Sequence, residues 1–319
     1  MAHRVRDVVA ASICVLAATG MMACTSTSTK PVKSATAQVT ASSGGVHPTP
    51  SPSPGCTSSS ALVVGVKVDQ YGTGYLDVRN YSYQGFDVDV AGYVSGMLFN
   101  NPNPYFLPVS SDTREAALAS CAIRFFAATY TISPDRQALF DIAGPYLVTY
   151  QGVMLGPHSP RITGISGLYH RRVCVVGNGS QAEGVLREFV PLAIPTPVGS
   201  YSTCLAQLRD GNVDAFSTDL AILYGYLTDP ANHDLHILPG ITMGDPIYYG
   251  IAFRKSDYAL CLQARSAIQK MISTKQWAVD VSLELPHYVA DQALYPSPLQ
   301  PTGQEITDNS CSHRAAPAS

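Results

Sequence analysis

Charge is scarce in this chain. Of its 319 residues, 13% are Asp, Glu, Lys or Arg, against about one-quarter in an average soluble protein. The 20 basic and 23 acidic side chains leave a formal charge of -3. No run of Lys and Arg is present that could neutralise a row of phosphates, so nucleic-acid binding is excluded. Past the N-terminus no apolar run approaches the roughly 20 residues that span a bilayer, which excludes a polytopic membrane protein. There is no C-x-x-C pair and no Cys/His cluster at zinc spacing. His233 and His236 stand three apart in a polar loop without a further Cys or His nearby and read as solvent-exposed, so no metal is expected. No G-x-S-x-G surrounds a serine, no cofactor motif stands out, and no repeat of 20 to 50 residues suggests a solenoid. Neither catalytic residues nor a cofactor are expected.

What is present begins with an address label. His3, Arg4 and Arg6 precede the apolar stretch Val8 to Gly20 and then Met21-Met22-Ala23-Cys24. Residues 1–23 read as an export signal. The segment resembles the lipobox of bacterial lipoproteins, which implies that Cys24 is lipidated and anchors the chain to the outer face of the cell membrane. The alternative is a plain secretory peptide with Cys24 incidental. Thr25 to Ser60 holds 22 Ser, Thr or Pro among 36 residues and no acidic residue. Such a segment cannot bury a core, so residues 24–60 are expected to form a tether. Beyond Cys14 and Cys24, six cysteines remain: Cys56, Cys121, Cys174, Cys204, Cys261 and Cys311. In an exported protein they read as disulfides, with fifteen pairings open; buried free thiols are the alternative.

Past Ser60, strands alternate with helices. Strands are expected over Ala61 to Val68, Ala122 to Thr131, Arg172 to Val176 and Ala215 to Thr218. Helices are expected over Phe86 to Phe99, Thr113 to Ser120, Ser180 to Phe189, Ser202 to Asp210 and Leu220 to Leu227. This alternation argues for an α/β fold with mostly parallel sheets. Two extended apolar passages, Tyr146 to Leu155 and Pro246 to Phe253, are placed where a chain could cross between lobes. If both cross, lobe one comprises 61–150 and 248–290, lobe two comprises 151–247, and 291–319 is a tail. Ligand sites in open α/β sheets lie at the C-terminal ends of strands, so a cleft between the lobes is where the polar residues matter.

Six blocks in order carry a resemblance: VGVKVDQYGTGY (Val64 to Tyr75), GFDVDVAGYV (Gly85 to Val94), ATYTISPDRQALFDIAGPYLVTYQGVM (Ala128 to Met154), VCVVGNGS (Val173 to Ser180), CLAQLRDGNVDAFSTDLAIL (Cys204 to Leu223) and YYGIAFRKSD (Tyr248 to Asp257). Over about residues 62 to 282 the chain resembles the polar amino-acid branch of bacterial extracellular solute-binding proteins, the glutamine- and glutamate-binding receptors of ABC importers. The resemblance implies a two-lobed, type II periplasmic-binding-protein-like fold whose lobes, joined by two crossing strands, close on one free amino acid.

An α-amino acid is a zwitterion, and burying either charge unpaired costs several kcal/mol. A site therefore needs one cation and one anion fixed close together. Arg136, five residues past Thr131, can take a carboxylate bidentately, and the resemblance gives it the ligand α-carboxylate. It also assigns hydroxyl and N–H of Thr131 to the ligand and the backbone carbonyl of Thr129 to the ammonium. Gly179 and Ser180 close the loop GNGS before a helix, where N–H groups form an anion site; read alone, the loop is a turn and an N-cap. The resemblance places the ammonium-binding carboxylate at Asp219, with Thr218 beside it; read alone, Asp219 is a helix N-cap. Lys67 aligns with a basic residue that meets the side-chain carboxylate of acidic ligands, which favours glutamate or aspartate. The rival reading pairs Lys67 with Asp69, Asp87 or Asp89. Tyr71 and Ser111 are candidate walls of the same pocket.

Cys174 and Cys204 have a spacing seen in relatives, which implies a bond between them. Cys121 is expected to start a strand beside the one led by Cys56 and to pair with it, leaving Cys261 and Cys311 to pin the tail. The turn before Cys121 departs from the G-x-V-D pattern kept at Gly211 to Asp214, Leu283-Glu-Leu-Pro286 interrupts an expected helix, and the Pro-rich stretch from Leu294 to Thr302 has no counterpart in the family. The implied partners are the free amino acid and ABC permease subunits, with the membrane reached through the lipid anchor; a monomer is expected. A membrane-bound signalling partner in place of the permease, and a dehydratase on the same fold, are the alternatives.

Overall fold

The computed structural model describes residues 62–312. Cys24, Cys56, the expected signal and the tether lie outside the described residues. The chain begins with β1 (Val63–Val66), then β2 (Asp69–Gln70), β3 (Gly74–Asp77), β4 (Ser82–Gln84), α1 (Phe86–Phe99), β5 (Tyr105–Pro108), α2 (Arg114–Ala119), β6 (Phe125–Phe126) and α3 (Pro134–Leu139). β7 (Phe140–Leu155) leads to β8 (Arg172–Val176), α4 (Ala182–Phe189), β9 (Ile194–Val198), α5 (Tyr201–Arg209), β10 (Ala215–Asp219), α6 (Leu220–Tyr226) and β11 (His236–Ile237). β12 (Met243–Arg254) returns, followed by α7 (Tyr258–Ser273), α8 (Gln276–Glu284), α9 (Pro286–Asp291) and α10 (Gly303–Asn309).

All 16 residues of β7 are buried, as suits a strand covered on both faces. It pairs antiparallel with β12 from Gln151 opposite Met243 to Phe140 opposite Arg254, with irregularities between. This pair is the middle of a nine-stranded sheet ordered β5-β1-β6-β12-β7-β10-β8-β9, with β11 also on β7. On one side β1 pairs parallel with β5 and β6; on the other β8 pairs parallel with β10 and β9. The antiparallel pairings in this sheet are those made by β7 and β12. Each lobe's own strands are thus parallel, the fold is type II, and both crossing strands extend beyond the expected bounds. A small antiparallel meander of β2, β3 and β4 stands apart.

The strand expected over Ala122 to Thr131 is shorter. β6 is two residues long, because the chain turns at Thr129, whose φ is 46°. Cys121 does not start this strand. With φ 65° it lies in the turn before it, and its N–H bonds to Leu118 O while Ala122 N–H bonds to Ala117 O. Gly211, with φ 70°, makes the same turn in the other lobe, its N–H on Leu208 O and that of Asn212 on Gln207 O. A cysteine therefore occupies the left-handed position that glycine fills with less strain. Cys121 is disulfide-bonded; its expected partner, Cys56, lies outside the described residues. Cys174 joins Cys204 and Cys261 joins Cys311, the pairs named above.

The C-terminal segment is structured. α8 ends at Glu284 and Pro286 opens α9 at its first turn, where the missing N–H of proline costs nothing. The chain then runs back along the crossing strands. Val148 N–H donates to Leu299 O at 2.9 Å, Tyr150 hydroxyl to Ser297 Oγ at 2.8 Å and Tyr248 hydroxyl to Glu305 Oε1 at 3.1 Å. Ser310 Oγ accepts from Gly144 N at 2.9 Å and donates to Gly144 O at 2.7 Å. Tyr288 stacks on Tyr224 of α6 at 4.7 Å. One segment thus braces both crossing strands and reaches the second lobe, and the Cys261–Cys311 bond pins it to α7.

Replacing Cys261 and Cys311 together by Ser is expected to lower unfolding stability by about 2 to 4 kcal/mol, the chain-entropy scale for closing a long loop. Urea titration of both proteins checks this; equal midpoints would show that the tail holds without its bond.

Candidate functional site

Two guanidinium groups meet in lobe one. Ser133 caps α3, accepting from Arg136 N, and Pro134 sits in its first turn, which fixes where Arg136 leaves the backbone. Its Nη1 donates to Thr131 O at 3.0 Å and its Nη2 to Gly179 O at 2.8 Å. Arg114, the first residue of α2, donates through Nη1 to Ala128 O at 2.5 Å and through Nη2 to the same Gly179 O at 2.8 Å. Both guanidiniums lie against the buried ring of Tyr130, Arg114 at 4.6 Å and Arg136 at 4.2 Å from its centroid, a geometry in which the ring offsets part of their desolvation. The Tyr130 hydroxyl donates to Glu115 Oε1 at 2.9 Å, and that oxygen lies 3.8 Å from Arg136 Nε. Burial, reinforced by the charge of Arg114, pushes Arg136 down to about 10. Arg114 Nε is buried without a hydrogen-bond partner among the described residues.

Thr129 is held at its positive φ by a buried carboxylate. Asp87 accepts from Thr129 N at 2.7 Å and from Tyr146 hydroxyl at 2.7 Å. Burial raises Asp87 to about 6 against the pull of those two bonds. Asp87 lies in the first turn of α1, but its side chain serves Thr129. Thr129 Oγ1 in turn exchanges hydrogen bonds with the Gln70 amide at 3.2 and 3.3 Å.

Lobe two contributes the anion. Asp219 ends β10 and N-caps α6 by position, without a side-chain cap bond. Its Oδ2 accepts from Tyr249 hydroxyl of β12 at 2.6 Å. Burial, opposed first by that bond and then by Arg136 and Arg114, raises it to about 6. Gln151, directly opposite Asp219 on β7, is buried beside it. In the loop GNGS, the N–H of Ser180 is spent on Gly177 O at 3.0 Å and Ser180 Oγ accepts from Ala182 N at 3.2 Å. These are turn contacts; the N-cap position of α4 is Gln181, without a side-chain cap bond, and the carbonyl of Gly179 faces the arginines. A Cβ on Gly179 would collide with the carbonyl of Ser111, and its φ of 76° also favours glycine.

Arg114, Thr129, Thr131, Arg136, Gln151, Ser180, Tyr201 and Asp219 line one small cavity with Gln181, Val185 and Ile247. Lys67 and Ser111 line a neighbouring cavity of about 430 Å³, and Tyr201 borders both. Lys67 is 1% exposed; its Nζ donates to Ser111 Oγ at 2.7 Å and lies 5.3 Å from the Tyr201 ring centroid. Burial, then Arg114, pushes its pKa well down. Among the described residues it forms no ion pair with Asp69, Asp87 or Asp89. Asp69 is engaged elsewhere: its Oδ2 accepts from Tyr201 N at 3.0 Å and Ser202 N at 3.4 Å, so a carboxylate of lobe one caps a helix of lobe two. Tyr71 and Thr218 line neither cavity. The Tyr71 ring stacks on Tyr75 at 3.9 Å, and Thr218 is taken up in the β10–β7 ladder.

Sequence reasoning missed Arg114, Gln151, Tyr130 and Tyr201. The signal for Arg114 was faint, a lone Arg opening a six-residue helix; Gln151 was a polar residue inside a largely apolar crossing strand. Among the described residues no group of three or more His, Cys, Asp or Glu could hold a metal ion. His233 and His236 are exposed.

A glutamate-binding protein of Corynebacterium glutamicum, GluB, is 30% identical over 216 residues, 65% of this chain and 72% of that protein. The glutamine-binding protein GlnH of a Bacillus subtilis ABC transporter is 29% identical over 213 residues, 66% of this chain and 76% of that one. Among solved structures, a solute receptor for L-cysteine from Neisseria gonorrhoeae superposes with a TM-score of 0.66 at 22% identity, covering 76% of this chain and 96% of its own. The family model for bacterial extracellular solute-binding proteins, family 3, matches residues 62–279. With the crossing strands and the interlobe cavity in place, the chain belongs to that family of extracellular solute-binding proteins.

Proposed function

We propose that this protein captures one free polar amino acid, glutamate or aspartate, outside the cytoplasm and hands it to the permease of an ABC importer, held at the membrane through Cys24. The observation that carries this reading is the cavity that Arg136 and Asp219 share, one from each lobe. Arg136 takes the α-carboxylate, and Asp219 with the carbonyl of Thr129 takes the ammonium. Thr131 and Ser180 border the same head group.

Charge counting favours an acidic side chain. Asp219 faces two guanidiniums in one cavity; Glu115 lies 3.8 Å from Arg136 Nε, while among the described residues Arg114 forms no ion pair. One guanidinium serves the α-carboxylate; the second, Arg114 with its unpartnered Nε, suits another carboxylate. Lys67 adds a third cation next door. Gly179 O holds both guanidiniums, and a carboxylate, the stronger acceptor, competes with it. Entry therefore moves the Gly179 loop off the arginines, which couples binding to the movement of lobe two.

A thermal-shift panel of the twenty amino acids tests the reading. A true ligand at one hundred times its dissociation constant adds about 2.7 kcal/mol, and glutamate or aspartate is expected to lead; a panel in which no amino acid raises the melting temperature would refute it. Arg114→Met and Lys67→Met are each expected to weaken glutamate by tenfold or more, about the worth of a charged hydrogen bond, while glutamine changes little. Calorimetry showing equal losses for both ligands would remove these residues from side-chain recognition.

The pH dependence follows from Asp219. Its carboxyl, raised to about 6, is neutral below that pH and then cannot pair with an ammonium, which stays charged throughout. Affinity is expected to be level above about pH 7 and to fall toward tenfold per pH unit below 6. Asp219→Asn is expected to bind weakly and lose this dependence; a variant that keeps the wild-type profile would exclude Asp219 as the titrating group.

A further inference from the structure

Asp219 stands at the N-cap of α6 and does not cap it. An N-cap carboxylate ordinarily accepts from the N–H of the second or third helical residue. Here the second, Ala221, donates to Thr149 Oγ1 of β7 at 3.1 Å, and Asp219 makes no side-chain cap bond. A crossing strand has taken over the helix terminus, so the carboxylate is available to the cavity that Asp219 lines.

The other crossing strand holds it there. The side chain of Tyr249 on β12 is fully buried, and its hydroxyl donates to Asp219 Oδ2 at 2.6 Å. That bond engages one carboxylate oxygen and leaves the second for a ligand. The backbone around Tyr249 is bound to lobe one. Tyr249 forms a bridge with Thr131, Ile132 N–H donates to Tyr248 O at 2.7 Å, and Gly250 N–H donates to Tyr130 O at 2.8 Å. The ring lies 6.1 Å from that of Tyr146, whose own hydroxyl is on Asp87. One residue therefore ties the anion contributed by lobe two to the turn of lobe one that carries Thr129 and Thr131.

We propose that Tyr249 is the positioning residue for Asp219: its hydroxyl turns the carboxylate away from α6 into the cavity and holds it as an anion for the ligand's ammonium. The proposal rests on the amino-acid reading above. A hydrogen bond donated to a carboxylate favours its charged form, so losing the hydroxyl raises the Asp219 carboxyl further above its value of about 6. Capture then fails at a higher pH, because the neutral carboxyl cannot pair with an ammonium. The other groups facing Asp219 are Arg136 and Arg114, Tyr201 of α5 and Tyr288 of α9. Guanidiniums stay charged and phenols neutral between about pH 5 and 8. Asp87, which also faces Tyr249, is raised to about 6 as well, so the Asp219 carboxyl has to be followed by its own signal.

The test compares the wild type with Tyr249→Phe, which keeps the ring and removes the hydroxyl. Carbon-13 NMR follows the carboxyl of Asp219 in the ligand-free protein, its signal identified by its loss in Asp219→Asn, and calorimetry measures glutamate affinity over the same pH range. In Tyr249→Phe the Asp219 midpoint is expected to rise by about one pH unit or more, and the pH below which glutamate affinity falls is expected to rise with it. A purely structural role would leave the Asp219 midpoint at its wild-type value and weaken glutamate by the same factor at every pH. That result overturns the proposal while the amino-acid reading stands. A midpoint that rises while the affinity profile stays in place would remove Asp219 from ammonium binding, and with it the reading on which the proposal rests.

Discussion

Two guanidinium groups buried against one phenol ring cannot stay charged there without acceptors, and the site is arranged around that demand. Tyr130 supplies the ring, the turn at Thr129 and Thr131 supplies carbonyl oxygens, and Glu115 steadies both the phenol and Arg136. The remaining acceptor, Gly179 O, comes from the other lobe. The cations of lobe one are therefore satisfied across the cleft, and an anion that enters the cleft competes for the same donors. The positive φ of Thr129 is part of this scheme: it turns the chain at the end of a two-residue strand, and the buried Asp87 holds its N–H.

The scaffold transmits that competition. β7 and β12 are common to both lobes and pair along their length, so a change of angle between the lobes passes through them. Asp69 capping α5 is a second tie across the cleft, independent of the arginines. The C-terminal segment lies beyond the residues that match the family model, yet it bonds to both crossing strands and stacks on α6 through Tyr288. It adds hydrogen bonds along the two strands that connect the lobes.

The α/β class and the crossing strands were legible in the sequence from apolar periodicity, and the resemblance of residue blocks in fixed order singled out Arg136 and Asp219, which line one cavity. What was not legible depends on contacts between distant segments. Arg114 sits in Arg114-Glu-Ala-Ala-Leu-Ala119, which reads as a surface helix; its burial comes from Tyr130 and from Gly179, 65 residues away. β6 was read too long because Ala122 to Thr131 is mostly apolar, while Asp87 from another element holds the N–H at the turn of Thr129. Cys121 took a glycine's place in a turn, which no periodicity shows. Lys67 was placed on the correct strand end, but its cavity adjoins the one lined by Arg136 and Asp219 rather than coinciding with it. Tyr71 was separated from the site by stacking on Tyr75, a pairing set by the β2–β3 hairpin.

The central claim is that one zwitterion is held between Arg136 and Asp219. Its most direct test is a crystal structure of the protein grown with L-glutamate. The account predicts the α-carboxylate within about 3 Å of the Arg136 guanidinium, the ammonium equally close to Asp219, and Gly179 O no longer shared by the two arginines. A ligand bound elsewhere, with Gly179 O still holding both guanidiniums, would contradict it.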